Sequence, residues 1–220
     1  MFKGHCFHKS IILQAVYFKL RFSLSYRDVE ELMMIRGVKV DHATIQRWVF
    51  KFTSMMELEF RKRKNQVGRR WRLDETYIKI KGEWRYLYRA VDKKGNTVDF
   101  LLTKKRKRIS AHKFLNKAIE NNGKPELINI DKSGSNKSAI QLYNRRNWSN
   151  IEIRQCKYLN NIVEQDHRFI KWRINQGLGF KDFESAKRTI SGIEIVRMIK
   201  KDQLMYSKCS TYRSFLSLAA

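Results

Sequence analysis

Apolar side chains recur at Ile12, Ala15, Val16 and Leu20, the spacing of an amphipathic helix over residues 9–21. Ser25-Tyr26-Arg27-Asp28 has the S-x-x-D form of a capping box, and Tyr26, Val29, Leu32 and Met33 then fall on one helical face. Gly37 interrupts the pattern. Asp41 stands where a third helix, HATIQRWVFKF, needs its N-cap, with Ile45, Trp48 and Val49 pointing inward. Helix, capped helix, glycine-containing turn and capped helix is the helix-turn-helix order, so a small all-α domain is expected over residues 1–60. A third helix lying in a major groove would turn His42, Ala43, Gln46 and Arg47 outward, with Arg47 suited to guanine and Gln46 to adenine. An ordinary helical bundle with solvated polar residues fits the same pattern.

From residue 71 the period shortens to two. WRLDETYIKI (71–80), EWRYLYRAV (83–91) and TVDFLLT (97–103) read as strands joined by the turns Lys81-Gly82 and DKKGN, an antiparallel meander. A helix follows at 109–122, then a strand at 126–131, a helix near 136–146, a strand at 151–156, and helices near 160–174 and 182–203. This order predicts an α/β domain over 71–220, a mixed sheet with helices on both faces. Residues 61–70, RKRKNQVGRR, hold six basic side chains and read as a linker between the two parts. The aromatics Trp71, Trp84, Tyr86 and Tyr88 alternate on strands, and most of them are expected in the core.

Charge sharpens the picture. Lys plus Arg number 47 against 21 Asp plus Glu, a formal net charge of +26. So basic a chain attracts nucleic acid or an anionic membrane. No apolar run approaches the ~18 residues of a membrane span. Lys19 and Arg21 interrupt the N-terminal apolar stretch, and no small-residue cleavage site follows. The preferred partner is therefore nucleic acid, which the helix-turn-helix pattern narrows to double-stranded DNA, and the expected location is the cytoplasm. Cys6, Cys156 and Cys209 are odd in number and lack C-x-x-C spacing, which argues against a disulfide framework or a structural zinc site. The basic run Lys104–Arg108 suits a DNA-backbone contact or a solvated surface.

Three acids stand apart from this cationic background. Asp74 shares a strand face with Thr76, Ile78 and Ile80, while Glu75 points the other way with Leu73 and Tyr77. Asp131 ends a strand. Glu164 lies on a helix with His167, Arg168 and Lys171 at i+3, i+4 and i+7. A lone carboxylate at any of these places fits a cap, a turn or a salt bridge. Together, three oxygen donors from separate elements suit hard divalent cations such as Mg²⁺. His167 reads either as a proton shuttle near neutral pH or as a structural or DNA contact.

SYRDVEELMMIRGVKVDHATIQRWV, WRLDETYIKIKGEWRYLYRAVD and KYLNNIVEQDHRFIK, in that order, resemble the IS6-type insertion-sequence transposases, bacterial enzymes of the DDE class. The resemblance spans almost the whole chain. It implies a helix-turn-helix followed by a ribonuclease H-like catalytic domain, with Asp74, Asp131 and Glu164 as the catalytic, metal-binding triad. It also implies two Mg²⁺ ions, with Mn²⁺ able to substitute, and a homodimer or higher oligomer that brings element ends together. The family has a basic residue seven positions after its glutamate, and Lys171 matches; Lys171 and Arg168 would hold DNA phosphate. Two departures stand out: the spacer between Asp131 and Glu164 is slightly short, and Ile130 stands where the family more often has threonine. The activity implied is 3′-end cleavage and strand transfer. A ribonuclease H-like nuclease without strand transfer, or a DNA-binding remnant with an inert triad, shares most of these features.

Overall fold

The computed structural model describes residues 6–131, 134–176, 179–207 and 210–219. The chain divides into two compact units, Met1–Asn65 with Trp172–Ala220, and Gln66–Lys171.

The first unit opens with α1 (Lys9–Arg21), α2 (Tyr26–Ile35) and α3 (His42–Lys62). Their boundaries follow the local chemistry. The Ser25 hydroxyl accepts from the Asp28 amide (3.0 Å) while the Asp28 carboxylate accepts from the Ser25 amide (2.6 Å), completing the capping box. Asp41 accepts from the amides of Ala43 and Thr44, both at 3.0 Å. Between them α2 ends on Gly37 (φ 76°), whose left-handed backbone lets the Val38 amide return to the Met33 carbonyl at 2.9 Å. Val29, Met33, Ile45, Trp48 and Val49 are buried as expected; Leu32 is partly exposed.

Two more helices complete this unit, α7 (Phe183–Lys200) and α8 (Thr211–Ser217). Helix α7 packs along α3 and α1. Gly192 permits the approach: a Cβ there would stand 2.5 Å from a Leu20 methyl. The sequence pattern assigns residues 172–220 to the strand-containing domain; in the structure they fold with the N-terminal helices. Helix α7 is buried on nearly every side, from Ala186 through Ile199, as the central rod of a helical unit must be. Its periodicity carries no record of which unit it joins. The stretch expected as a linker is also partly structured, since Arg61 and Lys62 finish α3 and Arg70 begins the first strand.

The second unit holds β1 (Arg70–Ile80), β2 (Glu83–Asp92), β3 (Thr97–Thr103), α4 (Arg108–Asn122), β4 (Leu127–Ile130), α5 (Gly134–Arg146), β5 (Glu152–Gln155) and α6 (Asn161–Gln176), the last running on past Lys171. The strands form one sheet ordered β3-β2-β1-β4-β5, with β1, β2 and β3 antiparallel and β4 and β5 parallel to β1. Lys81 and Gly82 both take positive φ, 49° and 79°, as the two central residues of a type I′ hairpin turn do. At the next turn Asp92 accepts from the amides of Lys94 and Asn96, each at 2.9 Å.

One sheet face carries Trp71, Leu73, Tyr88 and Ala90 against Phe114 and Leu115 of α4 and Ile140 of α5. The other presents Asp74 and Arg89 to α6, where Asp166 and His167 lie. The expected mixed sheet with helices on both faces is thus present, and Asp74 sits on its central strand. Cys6 and Cys156 are free; Cys209 lies outside the described residues. Among the described residues no helix is long and apolar enough to cross a membrane.

Candidate active site

The three acids come from three different elements, β1, the end of β4 and α6. Asp74 pairs with Arg89 across β1 and β2. On the other side β1 runs parallel to β4 with Arg72 opposite Asn129, and Asp131 follows the last residue of β4. Asn129 then donates to the Cys156 carbonyl (2.9 Å) and the Asn160 side chain (2.7 Å), tying β4 to the short 3-10 turn Lys157–Asn160. Helix α6 starts there, and Glu164 lies in its first turn. Asp131 and Glu164 are both half-buried.

Beneath Asp74 lies a polar layer that fixes α6. Arg89 is fully buried and donates to Asp166 at 3.2 Å, and Asp166 is itself 5% exposed. His167 Nδ1 stands 3.6 Å from Asp74 Oδ2. Burial, helped by the fields of Arg89 and Lys171, pushes His167 down to about 3. Burial thus favours the neutral imidazole.

Asp74 shows the opposite displacement. Burial is the largest cause, and the negative charges of Glu75, Asp131 and Glu164 add to it, pushing its carboxyl up to about 7. The fields of the three acids thus meet at Asp74. Among the described residues, however, no three His, Cys, Asp or Glu side chains stand close enough together to hold a metal ion. The acids reach each other electrostatically without forming a shared coordination sphere; residues 132 and 133, next to Asp131, lie outside the described set. The donor chemistry fits a hard cation nonetheless: a half-buried carboxyl in the field of other carboxylates is what a divalent ion relieves.

The other expected residues divide. Gln46 and Arg47 are exposed on α3, consistent with an outward-facing reader. His42, also exposed, has its Nδ1 2.9 Å from Glu30 of α2, so part of its hydrogen-bonding capacity is already used. Arg168 and Lys171 are exposed on α6, whereas His167 on the same expected face is 6% exposed. Three residues of the site went unread in the sequence. Glu75 is buried, pairs with Arg106, and accepts from Asn136 Nδ2 at 2.8 Å. Arg89 and Asp166 form the buried pair described above. Counting back from the Lys81-Gly82 turn puts Arg89 opposite Asp74, and that was the available signal.

A family model described as a DDE domain matches residues 68–203. The transposase for insertion sequence-like element IS431mec of Staphylococcus aureus is 39% identical over 201 residues, covering 91% of this chain and 88% of the relative. The transposase for insertion sequence element IS257 in transposon Tn4003, also from S. aureus, matches with the same identity and coverage. Among solved structures, the HTLV-2 integrase catalytic core domain in complex with magnesium is 22% identical with a TM-score of 0.48, covering 60% of this chain and 86% of that one.

Proposed function

The chain belongs to the IS6-type insertion-sequence transposases of the DDE class, and on that premise we propose that it binds element ends and catalyses Mg²⁺-dependent 3′-end cleavage and strand transfer into target DNA. What supports this reading is the family membership together with Asp74 on the central strand facing α6, which carries Glu164; burial and the negative charges of Glu75, Asp131 and Glu164 push the Asp74 carboxyl up to about 7. Asp74, Asp131 and Glu164 are the residues that would hold two Mg²⁺ ions, with Mn²⁺ as a substitute. Bound there, the ions supply Lewis acidity and neutralise the charge that spreads over a phosphodiester under attack.

The remaining residues hold and orient. The Arg89–Asp166 pair anchors α6 to the sheet and so fixes the height of Glu164. Neutral His167 leaves the charge of Asp74 available for a cation. Arg168 and Lys171 offer exposed positive charge to DNA phosphate. Arg47, Gln46 and His42, at the start of α3, face base edges in the major groove. The reaction is hydrolysis at the element end, which frees a 3′-hydroxyl, followed by attack of that hydroxyl on a target phosphodiester. Two ends must be joined to one target, so the working form is a homodimer or larger, acting on DNA in the cytoplasm.

Incubation of pre-nicked element-end DNA with a target plasmid and Mg²⁺ tests the reading. The wild-type chain should yield joined products, and Asp74→Asn should abolish joining while sparing end binding. Joining that survives Asp74→Asn would sink the site assignment; cleavage without joined products would reduce the activity to that of a nuclease.

A further inference from the structure

The β1–β2 hairpin carries an aromatic cluster that the sequence assigned in part to the core and that the acidic site does not use. Tyr77 lies opposite Tyr86, and Lys79 lies opposite Trp84, all on one face of the sheet. Nearer the sheet centre that face is covered: Tyr88 is fully buried and stacks on Phe114 of α4, centroids 5.9 Å apart. Toward the turn the cover ends, and Trp84 is 59% exposed and Tyr77 42%.

The exposed rings form a shaped surface. Trp84 meets Tyr77 edge-on with centroids 6.3 Å apart, and Tyr77 meets Tyr86 at 5.4 Å. Tyr77, Trp84, Tyr86 and Lys171 line a cavity of ≈ 370 Å³. Cations surround it: Lys79 Nζ stands 5.9 Å from the Trp84 ring centre, and Arg106 donates to the Tyr77 hydroxyl at 3.3 Å. The fitting occupant has flat apolar faces and a negative charge beside each. A second copy of this chain would bring another +26 to a cationic patch. Duplex DNA hides its base faces in the stack, whereas an unpaired strand presents both a ring face and a phosphate at every nucleotide.

We propose that this hairpin face binds an unpaired DNA strand, stacking bases on Trp84 and Tyr77 while Lys79 and Lys171 meet the phosphates. The proposal rests on the reading of the chain as a DNA-joining enzyme and deepens it, since strand breakage at an element end is where unpaired nucleotides arise.

Fluorescence anisotropy with the full chain tests it, using a labelled short oligodeoxythymidylate and, separately, a blunt duplex at the same salt. Trp84→Ala and Tyr77→Ala should each weaken oligodeoxythymidylate binding about fivefold or more, and leave duplex binding unchanged. Trp84→Phe, which keeps a ring face, should retain most of the affinity and controls for folding. Absence of oligodeoxythymidylate binding by the wild type, or equal effects of Trp84→Ala on both probes, would overturn the proposal. So would a Trp84→Ala defect confined to anionic phospholipid vesicles. Asp74→Asn should bind the oligonucleotide as the wild type does, so failure of the hairpin surface and failure of the acidic site are separately visible.

Discussion

Replacing Asp74 by Asn should make the metal-free protein more stable at pH 8 while destroying its response to Mg²⁺. The carboxyl is displaced from its ordinary 3.8 up to about 7. A folded-state pKa above the unfolded value means that the folded chain holds a proton the unfolded chain has released. The associated stability is fully present below about pH 4 and is lost as pH rises to about 7. A pKa difference of one between folded and unfolded chain corresponds to about 1.4 kcal/mol, so a difference of roughly three sets a ceiling of about 4 kcal/mol. The Asp74 side chain keeps 17% of its exposure, and solvent screening brings the expectation to about 2 kcal/mol. Asparagine keeps the shape but carries no charge. In thermal melts at pH 8 without divalent ions, Asp74→Asn should therefore melt about 4 °C or more above the wild type, given the response expected of a chain this long. At pH 4 the two should converge. Adding Mg²⁺ at ten times its dissociation constant should raise wild-type stability by about 1.4 kcal/mol at pH 8, progressively less below pH 7 as protons compete, and should leave Asp74→Asn unmoved. A variant less stable than wild type at pH 8, or one that keeps the Mg²⁺ response, would refute the claim that carboxylate charge converges here.

The buried pair offers a second check: Arg89→Ala strands Asp166 away from water and should lower stability by roughly 3–5 kcal/mol in denaturant melts, more than Arg89→Leu combined with Asp166→Leu. In the helical unit, Gly192→Ala adds a Cβ 2.5 Å from Leu20, and overpacking of about 1–3 kcal/mol should outweigh the ~1 kcal/mol gained in helix propensity. In a Leu20→Ala background the same change should become stabilising, and thermal melts of the four proteins decide it. Finally, the affinity for duplex DNA should fall steeply and linearly in log–log form as salt rises, because phosphate contacts release counterions; a flat response in anisotropy titrations would rule out a phosphate-dominated interface.

Local features were legible in the chain because local physics sets them. The Ser25–Asp28 box, the Asp41 cap and the Gly37 turn each depend on groups within a few residues, and they stand where the sequence puts them. The alternation around Asp74 likewise assigned Glu75 and Asp74 to opposite faces, as observed. The membership in a DDE family was readable too, since it lies in ordered strings of residues and needs no coordinates.

Other features depended on what packs against what. Residues of identical period can be covered or bare: Tyr88 lies under α4, while Trp84, four residues earlier on the same face, lies open. His167 shares its helix with the exposed Arg168 and Lys171, but its ring is buried, and that burial, with the field of Arg89, disfavours its charged form. Helix α7 carried no local mark of the unit it joins, and its neighbours α1 and α3 lie far from it in the chain. Side-chain spacing fixes the face on which a residue stands; whether that face meets water, a cation or another helix is settled by long-range packing, which decides burial, charge state and hence chemistry.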